Sequence, residues 1–423
     1  MFFASLAIST AIILAGLGLS CLIKRIIRSK EDVNLLTDTA LGVGGLSLLI
    51  MGFGACQLFS GFGRYLLTGI CGILAVFGAI ETVKQSIKKI KTKNYSLKPA
   101  DIIPAIFLLI IAIITMIAAA APPAMDDWDS LAYHLTVPRL FIEHGGIYYI
   151  NFTSHSNFPM LVEMLYIPGL MLGSVSGAKM VHCLLGILMV LSVIRLTRKH
   201  INPKAGYLAA FAIAGIHIVM WEATTAYIDL ATALYTVLAV DMLLDYRETG
   251  KKSALLASGA MAGFAASTKI LGAVTVILVG FWLLVDLLLD KDKKQTWKAI
   301  GLFIAGAMVC LPWYVKSIIF TGNPVYPFLF SIFGGKDWNA EIAAGYSASQ
   351  SRFGMGHGIL DLIRMPYNIT LYPERFYDAP GFFIGPILLI GIPTMLILIK
   401  SRTRKTLGLA AFIIAQIFVW FIL

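Results

Sequence analysis

The chain has 423 residues, 58% of them hydrophobic and only 13% charged, with a mean hydropathy of +0.82. A soluble domain carries about a quarter charged residues and a disordered chain is poor in apolar ones, so both classes are excluded. Lys and Arg number 34 against 23 Asp and Glu, a net +11; in so apolar a chain this surplus reads as membrane topology before nucleic-acid binding.

A helix of roughly 20 apolar residues crosses the bilayer core. Twelve segments fit: 2–23, 40–60, 65–83, 102–121, 178–194, 205–221, 228–246, 253–268, 270–290, 299–319, 382–399 and 406–423. The first lacks the basic stretch that opens a cleaved signal peptide. Between these segments, six short clusters hold 25 of the 34 basic residues, from Lys24/Arg25/Arg28/Lys30 to Lys400/Arg402/Arg404/Lys405. With twelve spans every cluster falls on one side, the cytoplasmic one, and both chain ends lie outside. Segment 159–173 is apolar, but counting it as a span would invert every later loop. It is predicted instead as a helix lying at or dipping into the outer surface. Its shortness and its Pro168-Gly169 agree.

Two long outer loops follow, about 122–177 and 320–381, and long loops are usually functional. All five cysteines fall within predicted spans, with no disulfide or metal spacing. No Walker loop, dinucleotide fingerprint, HExxH or GxSxG is present. Chemistry is therefore expected at the outer interface.

The first outer loop opens with Asp126, Asp127 and Asp129, just past Pro122-Pro123. Residues 130–143 read as an amphipathic interfacial helix, divided by Pro138. Asp129 or Ser130 could cap it. A carboxylate fixed there could also act as a general base on an acceptor hydroxyl. Glu222 and Asp229 bracket the turn WEATTAYID on the same side, where Asp229 is either a cap or a site residue. Glu163 is the charge within 159–173, free either to reach water or to face the same cleft. Lys269, at a sharp outer turn, and Lys316, near the end of 299–319, could hold a phosphate as point charges or simply reach the headgroups. Asn323-Pro324 marks a turn, and Trp313, Tyr314, Tyr326 and Phe328 suit an interface belt. Lys336, Arg352, His357, Arg364 and Arg375 are further basic candidates in the second loop. Two glycosylation sequons begin at Asn151 and Asn368.

The ordered set WDSLAYHL (Trp128–Leu135), NFPMLVEMLY (Asn157–Tyr166), AYIDLA (Ala226–Ala231), ASTK (Ala266–Lys269) and LPWYVKSIIFTGNPVYPF (Leu311–Phe328) resembles the GT-C superfamily of polyprenyl-phosphate-sugar-dependent glycosyltransferases. The likeness is strongest to relatives of protein O-mannosyltransferases and lipid A aminoarabinose transferase. It implies an all-α polytopic membrane fold, with residues 1–98 as accessory helices and 99–423 as a catalytic core. It further implies an inverting transfer from a polyprenyl-phosphate-linked sugar to a lipid, glycan or protein hydroxyl. That transfer would occur at the outer face of a bacterial or archaeal inner membrane, with no nucleic acid involved. Asp129 would be the base, supported by Asp127 or Asp126, with Lys269 and Lys316 near donor phosphate. Tyr133, His134, Glu163, Glu222, Asp229 and Asn323 would support them. No cofactor is required, although three clustered acids could take a divalent metal.

Two departures stand out. The family pattern D-(E/D)-x-x-Y has Ser130 in its second acidic place. The chain also stops at VWFIL inside its last predicted span, where relatives continue, and so reads as C-terminally truncated. Two other readings remain open: a lipid or polysaccharide transporter, and a catalytically inactive GT-C-like partner. A transporter should carry charges near the bilayer midplane, whereas Asp241, Asp245, Asp286 and Asp290 sit near inner ends.

Overall fold

The computed structural model describes residues 1–29, 34–91, 99–125, 127–289, 293–376, 383–400 and 403–422. Those residues form helices and turns, with no strand among them. The first helices are α1 (Phe2–Ile26), α2 (Leu35–Ala55), α3 (Gly61–Lys91) and α4 (Pro99–Ala119). The first long loop then holds a π-turn (Ser130–His134), α5 (Thr136–His144), a 3-10 turn (Ser154–Asn157) and α6 (Leu161–Met171). Next come α7 (Val175–Leu196), α8 (Gly206–Ala214), α9 (His217–Glu222), α10 (Asp229–Thr249), α11 (Lys252–Thr268) and α12 (Ala273–Leu288). The chain continues through α13 (Lys293–Ala307), α14 (Leu311–Thr321), α15 (Phe330–Phe333), α16 (Ala340–Gln350), α17 (Ile359–Leu371), α18 (Ile387–Lys400) and α19 (Arg404–Ile422).

Among the described residues, eight helical stretches are long and apolar enough to cross a membrane: Phe2–Ile26, Leu35–Ala55, Gly61–Lys91, Asp101–Ala119, Val175–Ile201, Ile270–Leu288, Trp297–Thr321 and Arg404–Ile422. The other four predicted spans are less regular. Segment 205–221 breaks at Gly215-Ile216 into α8 and α9; α10 is long enough but carries Asp229, Asp241, Asp245, Arg247 and Glu248; α11 has 17 residues and α18 has 14. Cys56, predicted within a span, lies exposed just beyond α2.

Small residues let the first helices touch backbone to backbone. A side chain at Gly18 would stand 2.0 Å from the Leu74 carbonyl of α3, and one at Gly42 only 1.8 Å from the Gly16 carbonyl. This is how helices associate where lipid supplies no hydrophobic drive. Gly259 and Gly306 bring α11 and α13 together in the same way.

The basic helix ends share one face. There Lys24 pairs with Asp38 at 2.8 Å, and Arg247 with Asp286 at 2.9 Å. Around α10, Arg195 forks onto Asp241 at 2.5 Å and Asp245 at 2.7 Å, Lys199 also meets Asp245, and Lys405 of α19 meets Glu248 at 3.0 Å. His200 sits among the same three acids, 3.1 Å from Asp241, 3.0 Å from Asp245 and 3.0 Å from Glu248. Asp241, Asp245 and Asp286, read from the sequence as lying near inner helix ends, are thus ion-paired, and Asp290 lies outside the described residues.

Helix α6 corrects a prediction. It has 11 residues, too few to cross, yet it does not lie on a surface: all of them but Leu170 are buried. Tyr166, Leu161 and Met164 fill the centre of the core. Ser47 of α2 donates to the Leu161 carbonyl at 2.7 Å, and the Arg64 guanidinium bonds the Met171 carbonyl.

Candidate active site

The face opposite the basic one carries the acids predicted as site residues, Asp127, Asp129, Glu222 and Asp229. Two predicted caps do not form. Asp129 precedes the π-turn in right-handed geometry and makes no side-chain cap bond; Asp229 is already helical, and the cap position falls to Ile228. Both carboxylates are therefore free for other partners. The predicted helix 130–143 is split accordingly into the π-turn and α5, with Pro138 inside the first turn of α5. π-Turns recur at functional sites because the extra residue re-aims side chains.

Three bonds hold this loop against the turn before α10. The Ala226 N–H donates to Ser130 Oγ at 2.9 Å, the Tyr166 hydroxyl donates to the Tyr227 carbonyl at 2.5 Å, and the Asp129 N–H reaches Tyr227 Oη at 3.4 Å. Ser130, standing where the resemblance implies an acid, is thus a buried brace. His182 of α7 supports the same turn: Nδ1 lies 3.2 Å from the Thr225 carbonyl, while Nε2 accepts from the Leu230 N–H at 3.2 Å.

Lys269 ends α11 and its ammonium lies 3.0 Å from Asp229 Oδ1. Both side chains keep a little over 40% of their surface, so the pair lines a water-reachable recess. Asp229 holds the Lys269 ammonium above its ordinary range, and Glu222 and Asp129 act in the same sense. Burial pushes Glu222 well above the usual carboxylate range, and the charges of Asp229, Asp129 and Asp127 push it further. One Glu222 oxygen is buried without a hydrogen-bond partner among the described residues. Burial also raises Asp127, although Ser130 and Lys179 pull the other way. Tyr133 is raised by burial and then by Asp129, which acts on the phenol both as a charge and as a hydrogen-bond partner. Asp127, Asp129, Tyr133, Glu222, Asp229 and Lys269 thus form one electrostatic neighbourhood. Asp126 lies outside the described residues.

His134 and Glu163 sit beneath it. Nδ1 of His134 is 2.7 Å from Glu163 Oε1, with both side chains 2% exposed. Glu163 therefore neither reaches water nor lines the recess.

Lys316 and Asn323 stand apart. The Lys316 ammonium is buried and donates to the Ser156 and Phe158 carbonyls at 2.7 and 3.0 Å, joining α14 to the first loop. Asn323 donates to the carbonyls of Phe328 and Gly334 and accepts from the Val325 N–H, each at 2.9 Å, which shapes the turn after α14. Lys179 resembles Lys316: it donates to the Ala121 and Pro122 carbonyls at 2.9 and 3.4 Å. The sequon residue Asn368 is buried.

Several residues that sequence reasoning missed complete the site. Rings run in steps of 4.1–6.1 Å from Trp221 through Tyr227, His134, Tyr133, His155, Phe158, Phe328 and Tyr346 to Trp338. Tyr346, on α16, lies close enough to Lys269 and Asp129 for both to bear on its ionisation. Burial lowers His155, against the pull of Asp129. Beside the cluster, an apolar cleft of about 280 Å³ runs between α4, α7, α8 and α9 and ends at Ala223 and Leu230, next to Glu222 and Asp229. Among the described residues, the His/acid group with metal-ligand spacing is His200, Asp241 and Asp245, on the basic face, where Arg195 and Lys199 already hold the carboxylates.

The sequence family described as "Domain of unknown function (DUF8201)" matches residues 171–423, more than half of the chain. The match includes Glu222, Tyr227, Asp229 and Lys269 and begins at the last residue of α6, past Asp129 and Glu163. A curated Shigella flexneri protein described as uncharacterized is 27% identical over 135 residues, which is 32% of this chain. The chain spans 63% of the length of that relative. No solved structure matches.

Proposed function

We propose, for a chain that belongs to the DUF8201 family, that it is an inverting membrane glycosyltransferase of GT-C type. It would move a sugar from a polyprenyl-phosphate donor to an acceptor hydroxyl at the outer face of the membrane. The observation that carries the reading is the gathering of Asp129, Tyr133, Glu222 and the water-reachable Asp229–Lys269 pair at one end of the bundle. Carboxylates accept hydrogen bonds from sugar hydroxyls, and aromatic faces cover the C–H faces of a sugar ring. A site walled by Tyr133, Tyr227 and Tyr346 supplies both kinds of contact.

In this reading all twelve predicted segments cross the membrane. The interrupted α8–α9 and the short α11 and α18 are tolerated because neighbouring helices satisfy the freed backbone groups. The basic face is cytoplasmic, by the excess of Lys and Arg in its loops. The donor tail lies in the apolar cleft that ends beside Glu222. Asp129 takes the acceptor proton as the oxygen attacks the anomeric carbon, and the C–O bond to the polyprenyl phosphate breaks on the opposite side. Lys269, drawn from Asp229, neutralises the leaving phosphate. A lipid, a glycan or a protein hydroxyl would each satisfy this chemistry as acceptor.

The test is transfer of radiolabelled sugar from polyprenyl phosphate in proteoliposomes. Asp129→Asn should lose on the order of 10²–10⁴ in rate with an unchanged elution profile. Undiminished transfer by that variant sinks the assignment.

A further inference from the structure

Helix α17 carries a surface that the proposed chemistry does not use. Ile359, Ile363, Tyr367 and Leu371 recur every four residues and are 73, 69, 51 and 51% exposed, with Leu360 beside them at 60%. The other side, Met365, Asn368 and Ile369, is buried. An exposed apolar stripe of this length on a two-sided helix marks an interaction surface.

The contacts at both ends of α17 fix its height. His357, just before it, has Nδ1 3.2 Å from the Phe421 carbonyl, and Phe376, just after it, stacks 6.4 Å from Trp420. Both partners belong to the last turn of α19, one of the helices able to cross a membrane. Thr370 also donates to the Gly385 carbonyl at 3.2 Å, just before α18 begins. The helix is therefore level with the end of a crossing helix, where acyl chains meet headgroups. Its charges suit that depth. Asp361 is turned back onto the Gly358 N–H at 3.0 Å, inside the helix cap, which leaves Arg364 exposed beside Leu360 and Tyr367. An arginine at such a boundary sends its head to lipid phosphate while its stem stays with the chains.

We propose that α17 is an interfacial anchor whose Ile359–Ile363–Tyr367–Leu371 stripe is embedded among the acyl chains of the leaflet opposite the basic face. It thereby seats the second long loop on the membrane. The Gly354 N–H donates to the Arg375 carbonyl at 2.7 Å, joining the two ends of the α17 segment. The anchor thus also fixes α16, which carries Tyr346 towards Asp129 and Lys269. The inference requires that α19 crosses the bilayer and does not depend on glycosyl transfer.

The test uses the full chain in phosphatidylcholine–phosphatidylglycerol nanodiscs, with Cys56→Ser as background. Nitroxides are attached at Ile363→Cys and Tyr367→Cys, with Ser347→Cys on α16 as the aqueous control and Ile113→Cys on α4 as the lipid control. Relaxation of both α17 labels by oxygen in preference to a water-soluble nickel chelate, as at position 113, is the expected result. Relaxation by nickel, as at position 347, overturns the proposal. Protection from both reagents also overturns it, since a second protein surface would then cover the stripe. Transfer activity plays no part in any of these outcomes, so the anchor and the proposed function fail separately.

Discussion

The imidazole of His134 and the carboxylate of Glu163 meet at 2.7 Å with almost no exposure to solvent. The carboxylate accepts, so Nδ1 carries the hydrogen and the ring is fixed in one orientation. That ring ends the π-turn that begins after Asp129 and lies 4.1 Å from Tyr133. Glu163→Ala strands a buried donor and should cost about 1–3 kcal/mol, seen as a lower thermal midpoint in detergent. Glu163→Gln, whose amide oxygen still accepts, should retain most of that stability. Equal losses for the two variants would show that packing, and not the bond, is what Glu163 supplies.

Glu222 gives a pH signature with a definite sign. Its carboxyl is raised in the fold above the ordinary 4.5, so the folded chain holds a proton that the unfolded chain releases. Stability should therefore fall as pH rises from 4.5 through the folded value. Glu222→Gln is neutral throughout and should lie above the parent at pH 8, with the difference vanishing near pH 4. Parallel melting curves across that range would contradict the assignment.

On the basic face, Asp241 is fully buried and takes its charge compensation from Arg195 and His200. Arg195→Ala leaves Asp241 underneutralised, and breaking a buried pair in this way costs about 3–5 kcal/mol. Denaturant titration measures it. Asp241→Asn in the same chain should restore part of the loss.

Lys269 and Lys316 should separate cleanly. Lys269→Met removes a water-reachable charge beside Asp229 and should lower transfer with little change in melting. Lys316→Met removes a buried ammonium that bonds two backbone carbonyls, so it should lower the melting temperature first. The two variants compared side by side in the melting and transfer assays decide the matter.

The helices were legible because apolar runs and basic clusters are local signals. The charge pattern alone also kept 159–173 from being counted as a span, and α6 is indeed too short to cross. Where that helix would rest was not legible, since its packing depends on α2 and α11, both far away in sequence. The same holds for partners. Asp129 and Asp229 each looked like a helix cap, but the backbone gives neither a capping bond, and Asp229 pairs with Lys269 instead. Lys316 looked like Lys269 because burial of a lysine head leaves no mark in its own sequence. Tyr227 stood between Glu222 and Asp229 in WEATTAYID and could have been read as a site residue. His155 and Tyr346 carried no such signal.

Helix α6 also imposes an order of assembly. It has no face left for lipid, and its seat is built by α1, α2, α3, α5, α7 and α11 together. Those walls come from both sides of it in the sequence, so the pocket it fills is not complete until α11 has been made. Docking of α6 should consequently be a late event in biogenesis, with the π-turn that follows Asp129 fixed only once that helix, through Glu163 and Tyr166, has locked beneath it.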